Sequence, residues 1–133
     1  KKFLPKKTKS IQKKRKNNMF NLDNILFLPA LTSPIFLIAG FVMYHFPPKK
    51  INYLYGYRTN SSMKPKERWD FAQKYSSIQM MILAIIMFVV SLIFSFFKIS
   101  ENLNLIFGLI VLLIGVSFMF YKVEKAIKVN FPN

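Results

Sequence analysis

The chain has 133 residues, 53% hydrophobic and 17% aromatic, with 20 Lys/Arg against five acids for a formal charge of +15; this length holds one domain, and the apolar share is high for a soluble protein. There is no cysteine, which excludes disulfides, thiol catalysis and thiolate metal sites, and the single His45 cannot by itself build an imidazole site. The charge invites a nucleic-acid reading through counterion release, but nine of the Lys/Arg lie in residues 1–18 with no acid among them, and from Met19 onward the net charge is only +6, so no nucleic-acid partner is expected.

Residues 1–24 form a basic N-terminal segment. Two readings of residues 1–18 stand open: Met19 is the true start and what precedes it is upstream sequence, or the segment is a basic tail resting on anionic lipid, at about 1 kcal/mol per basic residue near the surface. Residues 25–46 form the first of three uncharged runs, each near the roughly 20 residues a helix needs to cross a bilayer core. Pro29 and Pro34 lie early in this run and are expected to kink it, with Thr32 and Ser33 bonding the carbonyls that proline frees. No small-x-small cleavage pattern ends the run, which passes into Pro47-Pro48-Lys49-Lys50, so it is expected to stay as an anchor. Tyr44 and His45 fall at the membrane boundary, where an amphipathic ring is favoured; His45 is given that place rather than a proton relay.

The loop that follows, residues 47–76, is the long polar segment between apolar runs, and it holds the only Trp. Tyr53, Tyr55 and Tyr57 alternate, which predicts three rings on one side of an extended segment, with Gly56 free to turn the chain and aim Arg58. From Lys66 the pattern becomes helical. Trp69, Ala72, Gln73 and Ser76 follow i, i+3, i+4, i+7, and Lys66/Asp70 and Asp70/Lys74 are i, i+4 pairs. Pro65 suits a first turn and Glu67 the positive end of the helix dipole. A short amphipathic helix is expected here. No Pro or Gly interrupts Lys66 to Phe97, so this helix can also run on into the second span as one bent helix. Trp69 is expected at headgroup level.

This stretch resembles the signature of the SdpI family of small bacterial membrane proteins: a Gly56-Tyr57-Arg58-Thr59 turn, then Ser62-Met63, an acid at Glu67, Trp69, and a helical Ala72-Gln73-x-Tyr75, preceded by Pro48, Lys49, Ile51 and Asn52. Pro65 stands where the family pattern has a polar residue, often Asn. The resemblance implies an all-α integral membrane protein with three transmembrane helices and a signature loop carrying Asn52 and the residues above, open to a partner or a lipid. The family's namesake is an immunity protein that protects a toxin producer from its own secreted peptide and takes part in signalling. Immunity or tolerance to a membrane-active peptide is therefore what the resemblance implies here.

The second and third spans are expected at 77–97 and 103–121, within a membrane domain of residues 25–128 and before a tail of 129–133. Ser91 and Ser95, with Ala84 on the same face, and the pair Gly108 and Gly115 mark sides where backbones approach closely. Ser100 or Asn102 is expected to cap the third span. Counted from Met19, the side holding the N-terminus and the 98–102 turn has one Lys/Arg, and the other side has ten. The positive-inside rule then gives an N-out, C-in protein with the 47–76 loop in the cytoplasm; counting residues 1–18 makes it ten to ten. Arg58 and Glu124 share the loop side. Their pairing would tie the loop to the third span, with Glu67 and Asp70 as rival partners; otherwise Arg58 reaches lipid headgroups and Glu124 faces water.

No span carries an ionisable residue in its interior, which disfavours a single-copy pump. Nothing resembles a catalytic constellation; no enzyme activity, cofactor or metal is expected. The expected function is that of an SdpI-like protein of the bacterial cytoplasmic membrane, meeting the lipid bilayer and a peptide toxin or a membrane or regulatory protein, with a homo-oligomer left open. The alternative is a small subunit of a transporter or sensor complex, motivated by small-residue faces that exceed what three helices need.

Overall fold

Three apolar stretches, broken by the Pro47-Pro48 pair and by the polar turn at Lys98, fold as three helices. The computed structural model describes residues 25–132, so the segment 1–24, with its question about Met19, and Asn133 lie outside the described residues. The helices are α1 (Phe27–His45), α2 (Lys66–Phe94) and α3 (Glu101–Asn130), and all three are long and apolar enough to cross a membrane. Their outward surface is rich in exposed Ile, Leu and Phe, such as Ile38, Ile85 and Leu113.

The amphipathic segment does not form a helix of its own in the loop. With no Pro or Gly after Pro65, it becomes the first turns of α2, whose 29 residues reach about 43 Å at 1.5 Å per residue, well beyond a core of about 30 Å. α2 ends at Phe94 rather than Phe97. α3 runs past Tyr121 to Asn130, so most of the expected boundary region after the third span is helical.

The start of α1 is held from outside itself. Asn104 of α3 is buried, accepts the Phe27 N–H on Oδ1 at 3.2 Å and donates Nδ2–H to the Ile25 carbonyl at 2.8 Å. Ser91 of α2 donates to the Leu26 carbonyl at 3.0 Å. The Ala30 carbonyl, which Pro34 cannot bond, takes the Ser33 hydroxyl at 3.2 Å, and Thr32 donates to Leu28 at 2.8 Å, the local repair that hydroxyls supply in apolar helices. Ser100 occupies the N-cap position of α3 without a side-chain bond, and Asn102 is exposed.

α2 packs most extensively on α1 and less on α3, and α1 and α3 touch least. Where they do touch, Gly108 lets α3 approach: a Cβ there would lie 3.2 Å from Pro29 Cδ. Gly115 likewise faces Leu83 of α2. The small-residue positions are thus used inside this bundle. One apolar cluster, Leu83, Met87 and Met119, fills its middle, and a second, Tyr57, Ala72, Val123 and Ile127, lies at the loop end.

Candidate functional site: the loop between α1 and α2

The loop folds back onto the protruding turns of α2. Asn52 starts it as an Asx turn, accepting the Leu54 and Tyr55 N–H groups on Oδ1, both at 2.9 Å, and donating to the Lys50 carbonyl at 3.0 Å. Gly56 then takes φ +106°, a left-handed conformation that a side chain would strain, and a Cβ there would collide with Gln73 Oε1. These two turns break the alternation expected of the tyrosines. Tyr53 is 81% exposed and Tyr57 only 6%, so their rings do not share one side.

Gln73 is fully buried and clamps Tyr57. Its Oε1 accepts the Tyr57 N–H at 2.6 Å and its Nε2 donates to the Tyr57 carbonyl at 2.9 Å, the pairing a neighbouring strand would supply. The carbonyl also accepts the Ser62 hydroxyl at 3.0 Å. Thr59 and Ser62 close a reciprocal turn, each hydroxyl accepting the other's backbone N–H, at 2.8 Å to Ser62 and 3.2 Å to Thr59, and the Met63 N–H adds a bond to the Thr59 carbonyl at 3.0 Å.

Trp69 does not present its ring on an open surface. It is fully buried, and its indole N–H donates to the Pro48 carbonyl at 2.8 Å, so it fixes the entry of the loop. With Ala72, Gln73 and Ser76 it makes up the buried face of the first α2 turns. Ala72 packs in the Tyr57 cluster, and Tyr75 stacks on Phe71 at 5.5 Å.

Arg58 and Glu124 do not pair. The Arg58 guanidinium is exposed and donates through Nη1 to the Tyr53 carbonyl, while Glu124 accepts the Tyr57 hydroxyl at 2.9 Å. The rivals are also elsewhere: Glu67 is exposed in the first turn of α2, and Asp70 pairs with Lys66 at 2.5 Å. The loop is still tied to α3, but by Tyr57, whose ring also meets Phe120 at 5.4 Å. Burial first, then the bond and charge of Glu124, push the Tyr57 phenol well above its ordinary range. Glu124 lies beyond the uncharged run of α3. Burial raises its carboxyl, but bonds from Thr59, Ser61 and Tyr57 and the charge of Lys128 outweigh that and hold it below the usual value. A second tie is Arg68, whose Nη2 donates to the Phe131 carbonyl at 2.8 Å.

The residues singled out in the sequence therefore divide into two groups. Asn52, Gly56, Tyr57, Thr59, Ser62, Trp69, Ala72 and Gln73 build one hydrogen-bonded platform, with Met63 half-buried beside it; Arg58 and Glu67 are exposed. Sequence reasoning missed Asn104 and the Tyr57 to Glu124 bond; it placed Ser91 on a packing face, where it is buried, but not its bond to the Leu26 carbonyl. The exposed tip, Tyr53 and Leu54 at 81% and 91%, was not foreseen as such: Tyr53 was expected to share a side with Tyr57, and Leu54 was not singled out, although two large apolar residues beside a turn were a signal for it.

The model of the SdpI/YfhL protein family matches residues 49–122, which take in the loop, α2 and most of α3. The uncharacterized protein YfhL of Bacillus subtilis (strain 168) is 44% identical over 48 residues, covering 36% of this chain and 44% of that protein. The chain thus matches under half the length of that relative. No solved structure matches. A family match over more than half the chain, joined to three helices able to span a bilayer, places this multi-pass membrane protein in the SdpI/YfhL family.

Proposed function

We propose that this protein is a non-enzymatic member of its family that confers tolerance to a membrane-active peptide, with a signalling role through its loop. The observation that carries the reading is the platform. Gln73, Trp69 and Tyr57 lock the loop from beneath, while Tyr53, Leu54 and Arg58 stay exposed on it. A surface fixed before its partner arrives loses little conformational entropy on binding, and aromatic and Arg side chains are common contact residues. Of the four described acids, Asp70 and Glu124 are held by Lys66 and Tyr57 and Glu67 and Glu101 are exposed at helix starts, which fits a binding role better than acid–base chemistry.

Ten Lys/Arg among the described residues cluster at the loop end and Lys98 alone at the other, which supports the loop and the C-terminus facing the cytoplasm of a bacterial cell. The alternative, a subunit of a transporter or sensor complex, loses its motivation, because Ser91, Gly108 and Gly115 are engaged within the three helices. A homo-oligomer is likewise not needed to cover them.

The test is survival. A sensitive bacterium expressing the full chain is challenged with a panel of membrane-active peptides, alongside Leu54→Ser and Arg58→Ala at equal membrane abundance. Protection by the wild type that either substitution removes supports the reading. A well-inserted wild type that protects against none of the peptides rules it out.

A further inference from the structure

We propose that the groove between α1 and α3 under the loop is a binding site for one anionic phospholipid, its acyl chain in the groove and its headgroup phosphate on Arg58. The two helices meet at Gly108 and Pro29, and nearer the loop a cavity of about 450 Å³ is lined by Ala39 and Met43 of α1, Val116 and Phe120 of α3 and Met80 of α2. These walls are apolar. Arg58 lines the same cavity at its loop end, so one charged group stands at the mouth of an otherwise greasy slot.

That pairing of surfaces identifies the occupant. An apolar groove on a membrane protein accepts any acyl chain, so the selective element is the cation. Arg58 is exposed and forms no ion pair among the described residues: its contact is with the neutral Tyr53 carbonyl, and the Glu124 carboxylate is taken by Tyr57. The Tyr53 bond holds one guanidinium nitrogen and leaves other N–H groups for a second acceptor. A planar guanidinium binds phosphate oxygens in two parallel bonds. A headgroup with net negative charge gains most from it, whereas the phosphate of a zwitterionic lipid is already compensated by its own ammonium. A peptide segment would fill the slot but has no need of the cation at its mouth. This inference shares Arg58 with the proposed function but not its peptide: lipid retention is measured with no peptide present, so either reading can fail without the other.

Native mass spectrometry of the full chain in micelles doped with equal amounts of phosphatidylglycerol and phosphatidylcholine of identical chains tests it. One retained phosphatidylglycerol per chain is expected, with a preference of about tenfold, the size of one charge-assisted contact. Arg58→Gln erases the preference, Arg58→Lys keeps part of it, and Ala39→Phe, which fills the groove, lowers retention of both lipids. Emission of the sole tryptophan, Trp69, reports that the loop stays docked in each variant; where it does not, Val116→Phe replaces Ala39→Phe. Equal retention of the two lipids by the wild type overturns the proposal, as does an unchanged preference in Arg58→Gln. So does a lipid-free dimer, which would give the groove to a second copy.

Discussion

Gln73 shows how one side chain can set the shape of a loop. It supplies both partners to the backbone of Tyr57 in a place water does not reach, and its removal leaves the Tyr57 N–H without an acceptor, while the carbonyl keeps Ser62. A buried unpaired amide costs about 1–3 kcal/mol, so Gln73→Leu, of nearly the same volume, is expected to lower the unfolding free energy by that amount. Denaturant titration in micelles, followed by Trp69 emission, measures it. Tyr57 gives a prediction in pH. Its folded phenol is raised above the ordinary 10.0, by burial first and then by Glu124, so the docked loop keeps the proton when an undocked one has lost it. The contribution is complete below the unfolded value of 10.0 and falls as pH rises past it, by up to about 1.4 kcal/mol per unit. Trp69 emission is expected to shift to the red above pH 10 in the wild type and to lack that step in Tyr57→Phe. An equal step in both would assign the alkaline transition to other groups.

At the scale of elements, α1 is a helix whose first turn depends on the other two. Leu26 at its N-cap position offers no side-chain acceptor, and Asn104 and Ser91 supply what is missing from 77 and 65 residues away. Asn104→Ala removes two bonds to the α1 start and is expected to cost about 1–3 kcal/mol, against under about 0.5 kcal/mol for the exposed Asn102→Ala; unfolding of both variants in micelles makes the comparison. The same pair explains what was legible in the sequence. Three spans could be read because an apolar run of bilayer length is a local signal, and the buried face of the α2 extension followed from the spacing of Trp69, Ala72, Gln73 and Ser76. The partner of Glu124 could not. Whether Tyr57 or Arg58 reaches α3 depends on the positive φ of Gly56 and on the Gln73 clamp, neither of which leaves a periodic trace. The burial of Trp69 beneath the loop, with its N–H on the Pro48 carbonyl, was not legible, because the general preference of indoles for headgroups gives no weight to a loop that folds over the ring. Asn104 carries no local pattern either, and the small-residue spacing that marks Ser91 as a packing position does not name Leu26 as its partner, 65 residues away.

For the whole molecule, the decisive quantity is the side of the membrane on which the platform lies. Transfer of a Lys or Arg across a bilayer is unfavourable, and insertion tends to hold such residues in the cytoplasm; among the described residues, ten at the loop end outweigh the single Lys98 opposite, which favours a cytoplasmic loop. The absence of cysteine makes this directly measurable, because each introduced thiol is the only one present. Asn60→Cys lies in the loop and Asn102→Cys at the start of α3, and both native residues are exposed, so neither substitution disturbs packing. In intact cells a membrane-impermeant maleimide is expected to label Asn102→Cys, and to reach Asn60→Cys only after permeabilisation. The opposite pattern would put Tyr53, Leu54 and Arg58 on the outer face. There they would meet an arriving peptide before it crosses the bilayer, and tolerance would then act by interception outside the cell rather than by contacts made at its inner surface.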